Sequence, residues 1–147
     1  MSTPTSSPIP ASHADLLESK ALAHVATVGA DGAPQNNPVW FDWDGELIRF
    51  SQTTTRQKLR NVQREPRVAL SIVDPENPYR YLEVRGTVVA VDPDPEKAFI
   101  DAMAQKYLGA EKYPWNRPGD ERVVVVIRPE HTSQMGSARR SVPRGGS

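Results

Sequence analysis

LIRFSQTTTRQKLRNVQREPRVALSIVDPENPYRYLEVRGTVVAV, residues 47–91, is the stretch on which the fold turns. It opens on a short apolar strand, Leu47 to Phe50, and passes through a hydroxyl-rich turn into a helical segment that Pro66 has to close. Val68 to Val73 is a continuous apolar run suited to a buried strand. Asp74 to Pro78 is a turn-rich loop. From Arg80 to Val91, Leu82, Val84, Val88 and Ala90 alternate with Glu83, Arg85, Thr87 and Val89. That alternation predicts a long half-buried strand, broken at Gly86. One short helix followed by strands joined through a turn is the rhythm of an antiparallel sheet, not of repeated βαβ crossovers.

The turn inside this stretch carries the strongest chemical signal. Ser51-Gln-Thr-Thr-Thr-Arg-Gln-Lys-Leu-Arg-Asn61 crowds hydroxyl groups and cations where a strand gives way to a helix. Such a turn presents unpaired backbone N–H groups and the positive end of the helix dipole, which favour an anion. Arg56 adds a planar fork of donors and Lys58 a mobile point charge. Two residues apart, they diverge on a regular helix and converge only if Arg56 still lies in the turn. The competing reading is a solvated basic helix face, since Arg60, Arg64 and Arg67 follow.

Outward from this stretch, 147 residues suit a single domain with a sizeable core. Formal net charge is zero, so there is no overall electrostatic drive towards duplex DNA, and nucleic acid is not an expected partner. Cysteine is absent, which excludes disulfides, thiol catalysis and thiolate metal sites. With only His13, His24 and His131, a histidine-rich metal site is not expected either. No apolar run reaches membrane-spanning length and no signal-peptide core is seen, so the expectation is a cytoplasmic protein without a membrane partner.

Residues 1–11, rich in Ser, Thr and Pro, read as a loose arm, and residues 137–147 as a flexible basic tail. Val142-Pro-Arg-Gly-Gly-Ser147 reads either as the remnant of a cleaved tag or as a natural tail. The domain is expected over 12–136. Ser12 with Asp15 echoes a capping box for a short helix that turns Leu16 and Leu17 inward. Ala21 to Val28 is a strand, Gly29-Ala-Asp-Gly32 a hairpin turn, and Pro34 to Trp43 a second strand. Asp44-Gly45 turns into the Leu47 strand. Asp94-Pro95 starts a helix with Phe99, Met103 and Tyr107 as its inward stripe. A loop with Tyr113, Trp115 and Pro118 leads to a last strand, Val123 to Ile127. The fold class is therefore mainly β with a few helices, an antiparallel barrel.

This order of elements resembles the pyridoxamine-phosphate-oxidase-like split β-barrel family of flavin and deazaflavin proteins, with an FMN-binding type of barrel. The marks are ALAHVATVGADGAPQNNPVWF (21–41), TTTRQKLRN (53–61), REPRVALSIVD (64–74) and YLEVRGTVVAV (81–91), spanning Leu16 to about Gln134. The pattern Arg-x-Lys-x-x-Asn, Arg56 to Asn61, is most similar to the actinobacterial branch that uses the deazaflavin coenzyme F-420.

The resemblance implies coenzyme F-420, with FMN as the alternative, and an oxidoreductase that moves a hydride between the deazaflavin and an unsaturated small molecule. It implies that Arg56 and Lys58 hold the cofactor phosphate, with Ser51, Thr55 and Asn61 beside them. Gln35, Asn37, Pro38, Val39 and Trp40 would run beneath the ring. The resemblance further implies a homodimer whose partner chain brings Tyr79 and Tyr81 to the ring. The sequence names no catalytic residue, and no metal ligand is expected. Ile127-Arg-Pro-Glu-His-Thr132 does not reproduce the substrate motif of authentic pyridoxamine-phosphate oxidases, so vitamin B6 oxidation is not expected. His131 is a candidate haem ligand by analogy with haem-degrading relatives, or a plain exposed histidine. A carrier that binds cofactor without turnover stays open as a third function.

Overall fold

The computed structural model describes residues 8–137. The arm over 1–7 and the tail over 138–147 lie outside the described residues. The order is a 3₁₀ helix (Ala11–Glu18), β1 (Ala23–Val28), β2 (Pro34–Val39), β3 (Asp42–Trp43), β4 (Ile48–Thr53), α1 (Gln57–Arg64), β5 (Arg67–Asp74), β6 (Asn77–Pro93), α2 (Ala98–Leu108) and β7 (Arg122–Met135).

The strands form one seven-stranded sheet in the order β2-β1-β5-β6-β7-β4-β3, every pairing antiparallel. Val25 from β1, Leu70 and Ile72 from β5, Leu82 and Val84 from β6, Ile127 from β7 and Phe50 from β4 share one buried cluster. Strands far apart in the order can meet in one core only if the sheet curls, so this is a split antiparallel barrel. Leu59 and Val62 of α1, with Leu16 and Leu17 of the 3₁₀ helix, close it.

Several expectations change. Pro34 to Trp43 is not one strand: it breaks at Trp40 and Phe41, so β2 and β3 form opposite edges of the sheet. Phe41 turns fully into the core there, and its carbonyl takes hydrogen bonds from Lys106 Nζ (2.8 Å) and Tyr107 Oη (3.4 Å) instead of a strand. β6 is longer than expected and is not broken at Gly86. The register shifts between Arg85 and Gly86, where β7 approaches so closely that a Cβ at 86 would overlap the Arg128 carbonyl oxygen. β7 likewise continues past Ile127 to Met135, carrying Pro129 opposite Gly86.

The buried stripe of α2 is Ile100, Met103 and Ala104, with Tyr107 half-buried at its end. Ser12 does not cap the first helix. Asp15 instead pairs with Arg80 (2.6 Å), which is 1% exposed and also pairs with Asp74 (3.0 Å). Residues 8–11, expected as the end of a loose arm, are held: Ile9 packs on the core and the Pro8 carbonyl accepts from Thr132 Oγ1 at 2.8 Å. Among the described residues no helix is long and apolar enough to cross a membrane, and no group of acidic or histidine side chains could hold a metal.

Candidate functional site

The break between β2 and β3 makes the site. As the chain crosses between the two sheet edges, Phe41 goes inward and Trp40 stays on the surface, stacked on Tyr107 with ring centroids 5.3 Å apart. Tyr107 Oη donates to the Ala21 carbonyl (2.7 Å), and burial pushes its pKa up to about 12, so it stays protonated. The segment between α2 and β7 adds Tyr113 and Trp115, whose rings meet Trp40 at 5.8 and 6.2 Å. Asp101 holds that segment by accepting from the Tyr113 N–H at 2.9 Å.

Beside these rings lies a pocket of about 470 Å³. β2 contributes Gln35, Asn37, Pro38 and Val39; the end of β4 contributes Ser51, Gln52 and Thr53; the start of α1 contributes Arg56, Gln57 and Lys58. Arg56 is the residue before α1, with φ −79° and ψ 142°, and so still belongs to the turn. This is the condition under which Arg56 and Lys58 converge, and both line the pocket. No side chain caps α1 and no acid occupies its first turn.

Lys58 is 7% exposed. Its Nζ rides over the Phe50 ring, 5.4 Å from the centroid, and no carboxylate pairs with it among the described residues. Burial, then the neighbouring Arg56 charge, lower its pKa to about 8. Arg122, which sequence reasoning missed, is a third cation in the lining. It donates to Ser51 Oγ (3.2 Å) and Asn116 Oδ1 (3.3 Å), and its guanidinium sits 4.8 Å from the Tyr113 ring centre. Only the β4–β7 register, which sets Ser51 opposite Val124, brings a cation from residue 122 to this turn. No acidic side chain is in the lining. In a chain of zero net charge, the pocket is therefore a local concentration of positive charge.

Of the other expected site residues, Asn61 is not on the pocket surface. It is 1% exposed and bonds Thr27 and Gln35 behind it. Thr55 is exposed and does not line the pocket. Tyr79 and Tyr81 sit on β6, and neither lines this pocket of its own chain. Leu22, Ile100, Gln52 and Gln57 line it unforeseen, because nothing in their local sequence marks them. His131 is exposed on β7, and His24 lies on β1 opposite Pro38.

A family model described as pyridoxamine 5'-phosphate oxidase matches residues 9–136. A solved F-420 reductase is 46% identical, with 85% of this chain and 98% of that chain covered and a TM-score of 0.77. A conserved hypothetical protein from Mycobacterium tuberculosis is 24% identical over 99% of this chain and 100% of that one, TM-score 0.65. A putative pyridoxamine 5'-phosphate oxidase from Listeria innocua is 20% identical over 84% and 95%, TM-score 0.60. These last two share the fold.

Proposed function

The chain belongs to the pyridoxamine 5'-phosphate oxidase family, and from that premise we propose that it is an oxidoreductase using the deazaflavin coenzyme F-420 to reduce an unsaturated small molecule. The observation that carries the reading is Lys58: a buried ammonium without a carboxylate partner, in a pocket whose lining has cations and no acid. A buried unpaired charge costs free energy that an anionic ligand group recovers. The residues present fit a phosphate-bearing ring cofactor: Arg56, Lys58 and Arg122 would hold the anion, and Trp40, Tyr113 and Trp115 would offer aromatic surface to the ring. Once bound, the deazaflavin supplies the hydride chemistry.

The chain's own residues do the rest. Arg56 and Lys58 fix the anionic end, while Ser51, whose oxygen already accepts from Arg122, keeps its hydroxyl hydrogen to donate. The aromatic side chains exclude water and offer flat surface to a conjugated substrate. The lining has no carboxylate, histidine or thiol that could run a reaction unaided. The choice of F-420 over FMN is favoured by the 46% identical relative named for that coenzyme. It is also favoured by Arg60 and Arg64 of α1, which bond amide and carbonyl oxygens and no acid, and so suit a longer anionic tail. Arg67 is not available for this, being paired with Glu65 at 2.7 Å.

Side-by-side titration with F-420 and FMN tests the reading, followed by reduced coenzyme with a panel of quinone-like and heteroaromatic substrates. Tighter F-420 binding, weakened roughly ten- to a hundredfold by Arg56→Ala, is expected from a charge-assisted bond of about 1.5–3 kcal/mol. Tighter FMN binding, or equal affinity for wild type and the Arg56→Ala, Lys58→Ala double variant, would overturn it.

A further inference from the structure

A chain of amides runs from the surface of α1 to β2, and its direction is forced from one end. An arginine can only donate, so where Arg60 Nη1 meets Gln57 at 3.2 Å, the Gln57 atom facing it must be Oε1. Gln57 Nε2 is then turned to Asn61, donating to Oδ1 at 2.9 Å. Arg64 Nη2, another obligate donor, faces the same Oδ1 at 3.5 Å. Asn61 must therefore direct its Nδ2 the other way, to Thr27 Oγ1 (3.0 Å) and Gln35 Oε1 (3.1 Å). With its oxygen taken, Gln35 gives Nε2 to Asn37 Oδ1 at 3.0 Å. Asn37 lines the pocket, and the group it has left for a ligand is its Nδ2 amide.

We propose that Asn37 determines specificity by donating an N–H hydrogen bond to a carbonyl or imide oxygen of the bound ring, and that Asn61 is the positioning residue that fixes the direction of this donor. The inference rests on the ring-cofactor reading above. It adds that β2 recognises the acceptor edge of the ring while Arg56 and Lys58 recognise the anion. Asn61 is saturated by four partners and out of reach of the pocket, so it acts through Gln35 and not by contact. If Asn61 lost its Nδ2 donors, Gln35 would turn its amide nitrogen inward and its oxygen to Asn37. Asn37 would then donate into Gln35 and meet the ring with an acceptor.

The test uses two isosteric variants, Asn37→Asp and Asn61→Asp, and three probes: coenzyme F-420, FMN and inorganic phosphate. Each ring cofactor that wild type binds should bind either variant about tenfold more weakly, the scale of one hydrogen bond replaced by facing acceptors. Phosphate has no ring oxygen, so it should lose less than the ring cofactors do: it meets only the general repulsion of the added carboxylate, whereas the ring loses its hydrogen bond as well. Ring affinity unchanged in Asn37→Asp would overturn the donor assignment while leaving the F-420 reading intact. An equal loss for phosphate would overturn it too, since the change would then act through the whole pocket. Asn61→Asp binding the ring as wild type does, with Asn37→Asp weakened, would remove the positioning role. Wild type binding neither ring cofactor would overturn both readings.

Discussion

Lys58 is where burial and charge oppose each other most sharply. Its pKa of about 8 lies below the ordinary 10.5, so between those values the unfolded chain holds a proton that the folded chain has released. Stability of the ligand-free protein should therefore rise with pH across that window, the cost of burying the charge being fully present below it. Anion binding needs the charged form and should behave oppositely. Affinity should be highest below pH 8 and fall by up to about tenfold per pH unit above it. Lys58→Met gives a two-signed expectation: a higher melting temperature without ligand, because an unpaired buried charge is gone, and weaker binding of an anionic cofactor. Calorimetry and titration on one sample check both. A melting temperature that drops would mean that Lys58 has a stabilising partner.

Among the elements, the 3₁₀ helix is tied on by charge. Arg80 binds Asp15, Asp74 and the Ser12 carbonyl, and His13 Nε2 sits 3.0 Å from the Met135 carbonyl at the end of β7. Removing the Arg80 cation leaves Asp74 buried without it, so Arg80→Met should cost about 3–5 kcal/mol in denaturant unfolding. The pKa of Asp15 is lowered chiefly by its hydrogen bond from Arg80, and that of Asp74 chiefly by the Glu76 N–H. Their contribution is present above the ordinary value of 3.8 and lost as pH falls below it, so acid should release this helix early. Hydrogen exchange of residues 11–18 against pH would reveal that. In β6, Gly86→Ala should cost about 2–4 kcal/mol, because a backbone carbonyl cannot move aside as a side chain can.

At the scale of the whole molecule, self-association is the open expectation. Val88, Val91 and Trp40 are used within one chain: Val88 and Val91 pack against the core, and Trp40 stacks on Tyr107. Tyr79, 80% exposed, stays outside, as do Val89 on the same strand and Met135, which the register sets opposite Tyr81. We propose a twofold homodimer that covers this end and brings Tyr79 of the partner subunit towards the pocket mouth. Light scattering at micromolar concentration should give twice the chain mass, and Tyr79→Glu should halve it. A monomer with full cofactor affinity would refute the shared site.

The sequence by itself determined the strand-rich antiparallel class, because period-two alternation over 80–91 and the apolar run over 68–73 are local facts about which faces can be buried. It determined the basic turn as well, since Arg56 and Lys58 lie two positions apart in one segment and line one pocket. Tertiary structure alone decided that Trp40 and Phe41 part company between two sheet edges. Whether β2 continues depends on what closes the barrel, and Lys106 and Tyr107 close it from 65 and 66 residues away. It alone brought Arg122 to Ser51 and made Asn61, expected beside the cofactor phosphate, a buried junction behind the pocket. Pairing register and helix docking are long-range, and no pattern within one segment encodes which distant donor will meet which acceptor.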